Sequence, residues 1–310
     1  MSTLTILSGE LSKHGYQARC VPVSHLSELK QSINEIVESG DLSPEHSDYI
    51  KRCFTFMVPA AMPDARSIII AALQSLRCRA YFNYKGERFG AFIPPAYVDM
   101  YSAPKKIGIL INEIINPFNY HAERARLPEK LLAIRSGLGR YGRNNICYIP
   151  GMGSFVRMSA FFSDMPCEDD CWQDVKVMEA CAGCVACRNI CPTGSIRDDR
   201  FLLDADRCIC KINESAGDFP AWLDPSWHNS LVGCFFCQET CPQNKKFIGQ
   251  IIDMAEFTSA ETDMIMNEAP LDDLPMETRS KLEQINMAVY YDCLSRNLKA
   301  LMANRKEILS

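Results

Sequence analysis

The chain predicts an α/β (α+β) core, a loop-rich segment built around cysteine, and a short helical tail. Three observations predict it. Apolar stretches of strand and of helical period are mixed over residues 1–165, the pattern of an α/β core. Cysteine, proline and short loops dominate residues 166–250. Helical periodicity returns in residues 251–310, where Leu294, Leu298 and Leu301 share one stripe.

The elements follow in order. Ser24–Gly40 carries Leu26, Leu29, Ile33, Ile36 and Val37 at helical spacing, with Ser24 as a cap and Gly40 as a stop. Ser67–Leu73 is a short isoleucine-rich run that predicts a buried strand. Tyr81–Ile93 has two aromatic-rich arms around Lys85-Gly86, a hairpin pattern. Lys105–Ile115 returns to helical period and stops at Pro117. Leu127–Leu138 predicts another helix, Phe155–Phe162 another strand, and Leu274–Arg305 a mostly helical end.

Length and composition bound the function. A chain of 310 residues suffices for one large domain and a smaller one. Its 47% hydrophobic and 23% charged content is that of a globular protein. A net charge of −5 gains little from phosphate attraction, which disfavours generic nucleic-acid binding. The longest apolar stretch, Ile68–Leu73, is too short to span a bilayer. Met1–Cys20 has no apolar run backed by basic residues, so no secretory signal is expected. The 16 cysteines then point to a reducing, cytoplasmic setting in which clustered thiols hold metal.

Two proline-terminated cysteine clusters carry the chemistry. Cys181, Cys184, Cys187 and Cys191 read C-x2-C-x2-C-x3-C before Pro192; Cys208 is followed by Cys234, Cys237 and Cys241 before Pro242. The first run has the bacterial ferredoxin spacing, in which three cysteines hold one [4Fe–4S] cube and the fourth reaches a second. Crossed ligation assigns Cys181, Cys184, Cys187 and Cys241 to one cube, and Cys191, Cys208, Cys234 and Cys237 to the other. Thiolates suit the task because each iron takes one soft anionic ligand. Structural zinc is the alternative for C-x2-C pairs, but the third cysteine and the Cys-Pro ending argue against it. Cys210 competes with Cys208 as a ligand. Cys167 and Cys171 form a C-x3-C pair suited to a further metal, a redox pair or plain packing.

Ser136 to Gly153 is rich in glycine, and Gly137, Gly139 and Gly142 match G-x-G-x-x-G. As a dinucleotide fingerprint the match is weak, since a helix and not a strand is predicted before it. The loop allows close backbone approach, either to a large ligand or to the chain itself.

The cysteine motifs, with Ser136-Gly137-Leu138-Gly139, Gly142-Arg143-Asn144 and Gly153-Ser154-Phe155, resemble the epoxyqueuosine reductases, tRNA-modifying relatives of the reductive dehalogenases. The resemblance spans about Pro63 to Asn244. It implies a nitroreductase-like core that binds cobalamin beside a ferredoxin-like double [4Fe–4S] module, with electrons passing through the cubes to cobalt. Gly142, Asn144 and Ser154 match positions that line the corrin. It also implies Cys208 in preference to Cys210 as ligand. Counting back from Gly139, Glu123 stands where the family has a proton-donating aspartate, which makes it the implied catalytic acid. The family's D-Y-H segment has only Asn119-Tyr120-His121 as counterpart, and the region after Asn244 is short.

These features predict an iron–sulfur oxidoreductase that relays single electrons through two clusters to a cofactor, cobalamin first, or to a substrate in the core. An electron donor such as a reduced ferredoxin or flavodoxin is the partner implied. Epoxyqueuosine reductase acting on tRNA is one alternative, with tRNA disfavoured on charge and tail length. The other is a non-catalytic electron-carrier subunit of a larger redox complex.

Overall fold

The computed structural model describes residues 3–309. Along the chain come α1 (Thr3–Lys13), β1 (Tyr16–Pro22), α2 (Leu26–Glu38), α3 (Pro44–Cys53), β2 (Ser67–Gln74), β3 (Arg77–Tyr84), β4 (Glu87–Ile93), α4 (Ser102–Ile115), β5 (Ala122–Ala125), α5 (Glu129–Arg135), β6 (Arg140–Tyr141), β7 (Cys147–Tyr148) and β8 (Val156–Ser163). Then follow α6 (Ala186–Ile190), α7 (Ile209–Glu214), α8 (Phe236–Glu239), β9 (Ile251–Phe257), α9 (Ser259–Met266), α10 (Met276–Gln284) and α11 (Tyr291–Leu309). They form two compact units that are interleaved in sequence. The first holds Met1–Gln74, Tyr101–Cys184 and Arg200–Leu202; the second holds Ser75–Met100, Val185–Asp199 and Leu203–Ser310. Sequence had suggested three consecutive segments.

The first unit is built on an antiparallel sheet in the order β1-β2-β8-β5. Its central strand β2 is the isoleucine-rich run, and it is buried on both faces. Ile68, Ile70 and Ala72 face a core shared with Leu29 and Ile33 of α2 and Leu131, Leu132 and Ile134 of α5. Ile69 and Ala71 face the opposite way, against Leu7 and Leu11 of α1 and Ile107, Ile111 and Ile115 of α4. Side chains alternate along a strand, so a strand covered on both faces must be apolar at every position. Each fully buried isoleucine contributes roughly 1.5–3 kcal/mol.

The helix predicted over Leu127–Leu138 is shorter, Glu129–Arg135. Pro128 stands at its N-cap and Gly137, at φ +75°, ends it in the left-handed region that glycine tolerates. Glu123, upstream, lies on β5 at the sheet edge, opposite Phe162 of β8.

In the second unit the expected hairpin is present. β3 and β4 pair antiparallel around Lys85 (φ 50°) and Gly86 (φ 80°), the positive-φ pair that a two-residue hairpin turn requires. A correction concerns the region after residue 250, which was expected to be helical. Residues Ile251–Phe257 form β9, parallel to β3, completing a sheet in the order β4-β3-β9. Phe257 stacks on Phe82 with ring centroids 4.7 Å apart. Asp253 and Glu256 bond Arg79 and Arg88 at 2.7 and 2.8 Å. The strand draws its pairing and its counter-charges from residues far away in sequence, so local periodicity could not announce it. The rest of this region is helical: α9, capped by a Thr258–Glu261 box, then α10 and α11. No helix of the described residues is long and apolar enough to cross a membrane.

One clasp fixes the loop after β8 in the first unit. His25 stacks on Trp172 at 4.3 Å and contacts Glu28 (2.6 Å) and Asp170 (2.8 Å), while the Trp172 indole donates to Glu28 at 3.0 Å. Burial disfavours the imidazolium, but the hydrogen bonds to Asp170 and Glu28 outweigh it and raise the pKa. A raised folded pKa means that this stabilisation is full below the unfolded value, about 6.5, and is lost as pH rises through the folded value. Chemical denaturation at a series of pH values is therefore expected to show stability falling above about pH 6.5, with a shallower slope in His25→Gln. An unchanged slope would show that the clasp does not titrate in this range.

Candidate functional site

The glycine loop and the start of the first cysteine run belong to the first unit. After α5, the backbone N–H of Gly139 bonds Ala133 O at 3.0 Å, and Gly142 N–H bonds Ile146 O at 2.8 Å. A methyl group on Gly139 would fall 2.7 Å from Cys147 Sγ, and one on Gly142 would fall 2.5 Å from the Tyr148 ring. Both glycines are thus required by contacts within the loop itself. The run follows a helix, which confirms that it is no dinucleotide fingerprint.

Asn144 is 2% exposed, and its amide is engaged with Tyr148 Oη (3.1 Å) and Ile146 N (3.4 Å). Ser154 is also buried. The three positions matched to the corrin site, Gly142, Asn144 and Ser154, thus lie in or beside a tightly packed loop.

Arg143 links the loop to the cysteine turn, a role that sequence reading did not assign. Its backbone N–H points at Cys181 Sγ (3.4 Å), and its guanidinium donates to the carbonyls of Cys184 (3.0 Å) and Cys181 (3.1 Å). The loop backbone also grips the strand-like approach to the turn: Tyr141 N–H bonds Lys176 O and Met178 N–H bonds Tyr141 O, at 3.2 and 2.8 Å. The only signal in sequence was the arginine's place beside Gly142.

The second unit holds the other six motif cysteines. Two of its turns repeat one backbone shape. Val185 (φ −124°, ψ 10°) opens α6, which carries Cys187; Phe235 (φ −129°, ψ 13°) opens α8, which carries Cys237. The chain then leaves each helix through an extended cysteine, Cys191 (φ −70°, ψ 107°) and Cys241 (φ −71°, ψ 124°), with proline next. Proline after the cysteine prevents the helix from continuing. The pseudo-repeat seen in the cysteine spacing is thus a repeat of backbone conformation.

Cys191, Cys208 and Cys234 are electrostatic neighbours. The Cys208 thiol is held down to about 7, first by the hydrogen bond from Cys210 and then, against burial, by the N–H groups of Cys210 and Lys211 and the Ser195 hydroxyl. Burial pushes Cys234 up to about 12, while Phe236 N–H and Asn229 Nδ2, the latter at 3.4 Å, donate to its sulfur. Cys210 contacts Tyr97 Oη and Glu214 Oε1, each at 3.1 Å. Cys210 is thus engaged by the Tyr97 and Glu214 side chains, which favours Cys208 as the ligand. Soft thiol donors that receive N–H bonds fit an iron–sulfur cluster, whose ligand sulfurs are stabilised in that way.

Glu123 is exposed and lines an open groove of about 480 Å³ in the first unit, with Lys105, Asn112, Glu113, Arg124 and Phe161. The Arg124 guanidinium beside it donates to Ala160 O (2.7 Å) and Ala125 O (2.8 Å) and pairs with Glu129. Glu123 is therefore presented on a paired strand, with its neighbour anchored.

Comparison with known proteins places these features. Residues 180–244 match the 4Fe-4S double cluster binding domain, which sets zinc aside and gives the chain two clusters. The epoxyqueuosine reductase of Salmonella typhimurium is 34% identical over 157 residues, which are 50% of this chain and 39% of that protein. The epoxyqueuosine reductase of Escherichia coli is 35% identical over 144 residues, 46% of this chain and 37% of that protein. The matched regions thus span well under half the length of these relatives. A crystal structure of epoxyqueuosine reductase with an epoxyqueuosine-modified tRNA-Tyr stem loop superposes with a TM-score of 0.64 at 19% identity, covering 96% of this chain and 80% of that one; the fold is shared. The resemblance drawn from the motifs holds.

The ligand choice is checked by metal content. Cys208→Ser is expected to lower iron from about eight to about four atoms per anaerobically purified chain, the difference of one cube. Cys210→Ser is expected to keep both cubes; the reverse result would exchange the two roles.

Proposed function

We propose that this chain is an iron–sulfur oxidoreductase of the epoxyqueuosine reductase kind. It takes single electrons from a donor such as a reduced ferredoxin or flavodoxin and uses them on epoxyqueuosine in tRNA. The observation that carries the reading is the double-cluster domain at residues 180–244 in a chain with the motifs and fold of those reductases. The crossed ligand sets are Cys181, Cys184, Cys187 and Cys241, and Cys191, Cys208, Cys234 and Cys237.

The weighting against tRNA made from the sequence is reversed here. A net charge of −5 is a sum over the whole chain, and phosphate contact depends on where cations stand on the surface. The two relatives described above are epoxyqueuosine reductases, and a fold neighbour is seen with a modified tRNA stem loop.

Removing an epoxide oxygen as water and leaving a double bond consumes two electrons and two protons. Two one-electron clusters can supply the pair in sequence. Glu123 is the side chain assigned to the proton: it is exposed, on a paired strand, and beside a groove. Cobalamin, when bound, would supply a cobalt centre that accepts single electrons. Gly142, Asn144 and Ser154 are the residues that the resemblance assigns to its binding. The 16 free cysteines suit a reducing compartment such as the cytoplasm.

The test incubates the anaerobically purified chain with epoxyqueuosine-containing tRNA and a low-potential reductant, with and without cobalamin, and measures queuosine by nucleoside mass spectrometry. Queuosine formation is expected. Intact clusters by electron paramagnetic resonance with no queuosine under either condition would leave the electron-carrier reading in its place. Glu123→Gln is expected to slow turnover by roughly 10²–10⁴-fold with unchanged cluster spectra. Unaltered turnover would remove Glu123 from the reaction.

A further inference from the structure

Arg77 is a buried cation at the second cysteine turn. It is the first residue of β3 and is 4% exposed. Its guanidinium lies 5.2 Å from the ring centroid of Phe92 and 5.3 Å from that of Phe235, within the range of cation–π attraction. Nη1 donates to Glu239 Oε1 at 2.8 Å, and Nη2 donates to the carbonyl of Ile248. All of these residues belong to the second unit.

The partners are spread along one turn. Phe235 follows Cys234 and opens α8, Glu239 closes α8 two residues beyond Cys237, and Ile248 lies on the chain that leaves Cys241-Pro242. One side chain thus grips the turn at its entry, at the end of its helix and past its exit. The grip is anchored in β3, which pairs with β4 and with β9.

Stability does not call for a cation here. Arg77 Nε is buried with no hydrogen-bond partner. The counter-ion is partly exposed, with 39% of the Glu239 side chain accessible against 5% for Arg77. Burying a charge on these terms costs free energy, and an apolar side chain of similar length would fill the slot at lower cost. A positive charge does have an electrostatic use beside a cluster. One-electron reduction adds a negative charge to a cube, and a nearby cation stabilises it, the more so where water is excluded. Glu239 acts in the opposite sense, but its exposure lets solvent screen it more than the buried guanidinium is screened.

We propose that Arg77 is a positioning residue of the 234–241 turn and that its charge raises the reduction potential of the cube held by Cys191, Cys208, Cys234 and Cys237. All four of those cysteines lie in the second unit with Arg77. The proposal rests on the two-cluster reading and not on the reaction at epoxyqueuosine.

The test is a redox titration of the anaerobically purified full chain, followed by electron paramagnetic resonance. The signal absent from Cys208→Ser identifies the cube concerned. Its midpoint is expected to move negative in Arg77→Met, to move positive in Glu239→Gln, and to return toward the wild-type value in the double variant. Arg77→Lys, which keeps the charge, is expected to lie between Arg77→Met and wild type. Unshifted midpoints in both single variants would overturn the proposal, as would shifts of the same sign. If Arg77→Met sheds the cube, Glu239→Gln decides: a positive shift supports the proposal, and an unchanged midpoint reduces Arg77 to a part of the fold. Wild-type protein without any cluster signal would remove the two-cluster reading and the proposal with it, a result distinct from a cube whose potential does not move.

Discussion

A cysteine sulfur can serve a cluster only if the backbone presents it at the right point of a short turn. Two segments of this chain meet that demand with the same dihedral sequence. A residue near φ −125°, ψ 10° (Val185, Phe235) begins a single helical turn, and an extended cysteine before proline ends it. Such turns have little apolar surface of their own. Their stability must come from ligation and from donors supplied by neighbours. Arg143 is such a donor in the first unit, and Asn229 is one in the second. The polar groups around the cysteines are therefore part of how the turns hold their shape.

The two sheets show two ways of meeting the burial requirement. In the first unit β2 is covered on both faces, and its run of isoleucine and alanine follows directly. In the second, β9 keeps Ala255 and Phe257 buried and sets Asp253 and Glu256 outward to pair with arginines of β3 and β4. Exposed ion pairs of this kind add little stability singly. From Ala255 to Phe257, beyond a register shift in the pairing, the exposed Glu256 alternates with buried residues and fixes register there, because a one-residue slip would exchange the faces.

What could be read in the sequence follows from this contrast. β2, the β3–β4 hairpin, α2 and α4 were legible because their signals are local: a continuous apolar run, a Lys-Gly turn, a helical stripe. The double-cluster segment was legible because cluster binding fixes cysteine spacing. β9 was not, since its partner and counter-charges are distant. The glycine loop was legible as a loop, yet the reason for its glycines was not. The contacts of Gly139 with Cys147 and of Gly142 with Tyr148 exist only once the chain has turned back on itself. The same holds for Arg143, which joins segments that no local pattern connects.

The parallel pairing of β3 with β9 has a consequence for biosynthesis. Arg79 and its partner Asp253 are 174 positions apart. At ribosomal speeds of roughly 5–20 residues per second, the earlier strand waits on the order of ten to thirty seconds for the later one to emerge. During that interval the hairpin presents an unpaired edge, a ready template for another nascent chain. Such an edge needs shielding, by a chaperone or by the charged arms of Arg79 and Arg88, which stand without their later partners until β9 arrives. Fast synthesis puts more such edges in solution at once, and edge-to-edge association is the failure they favour.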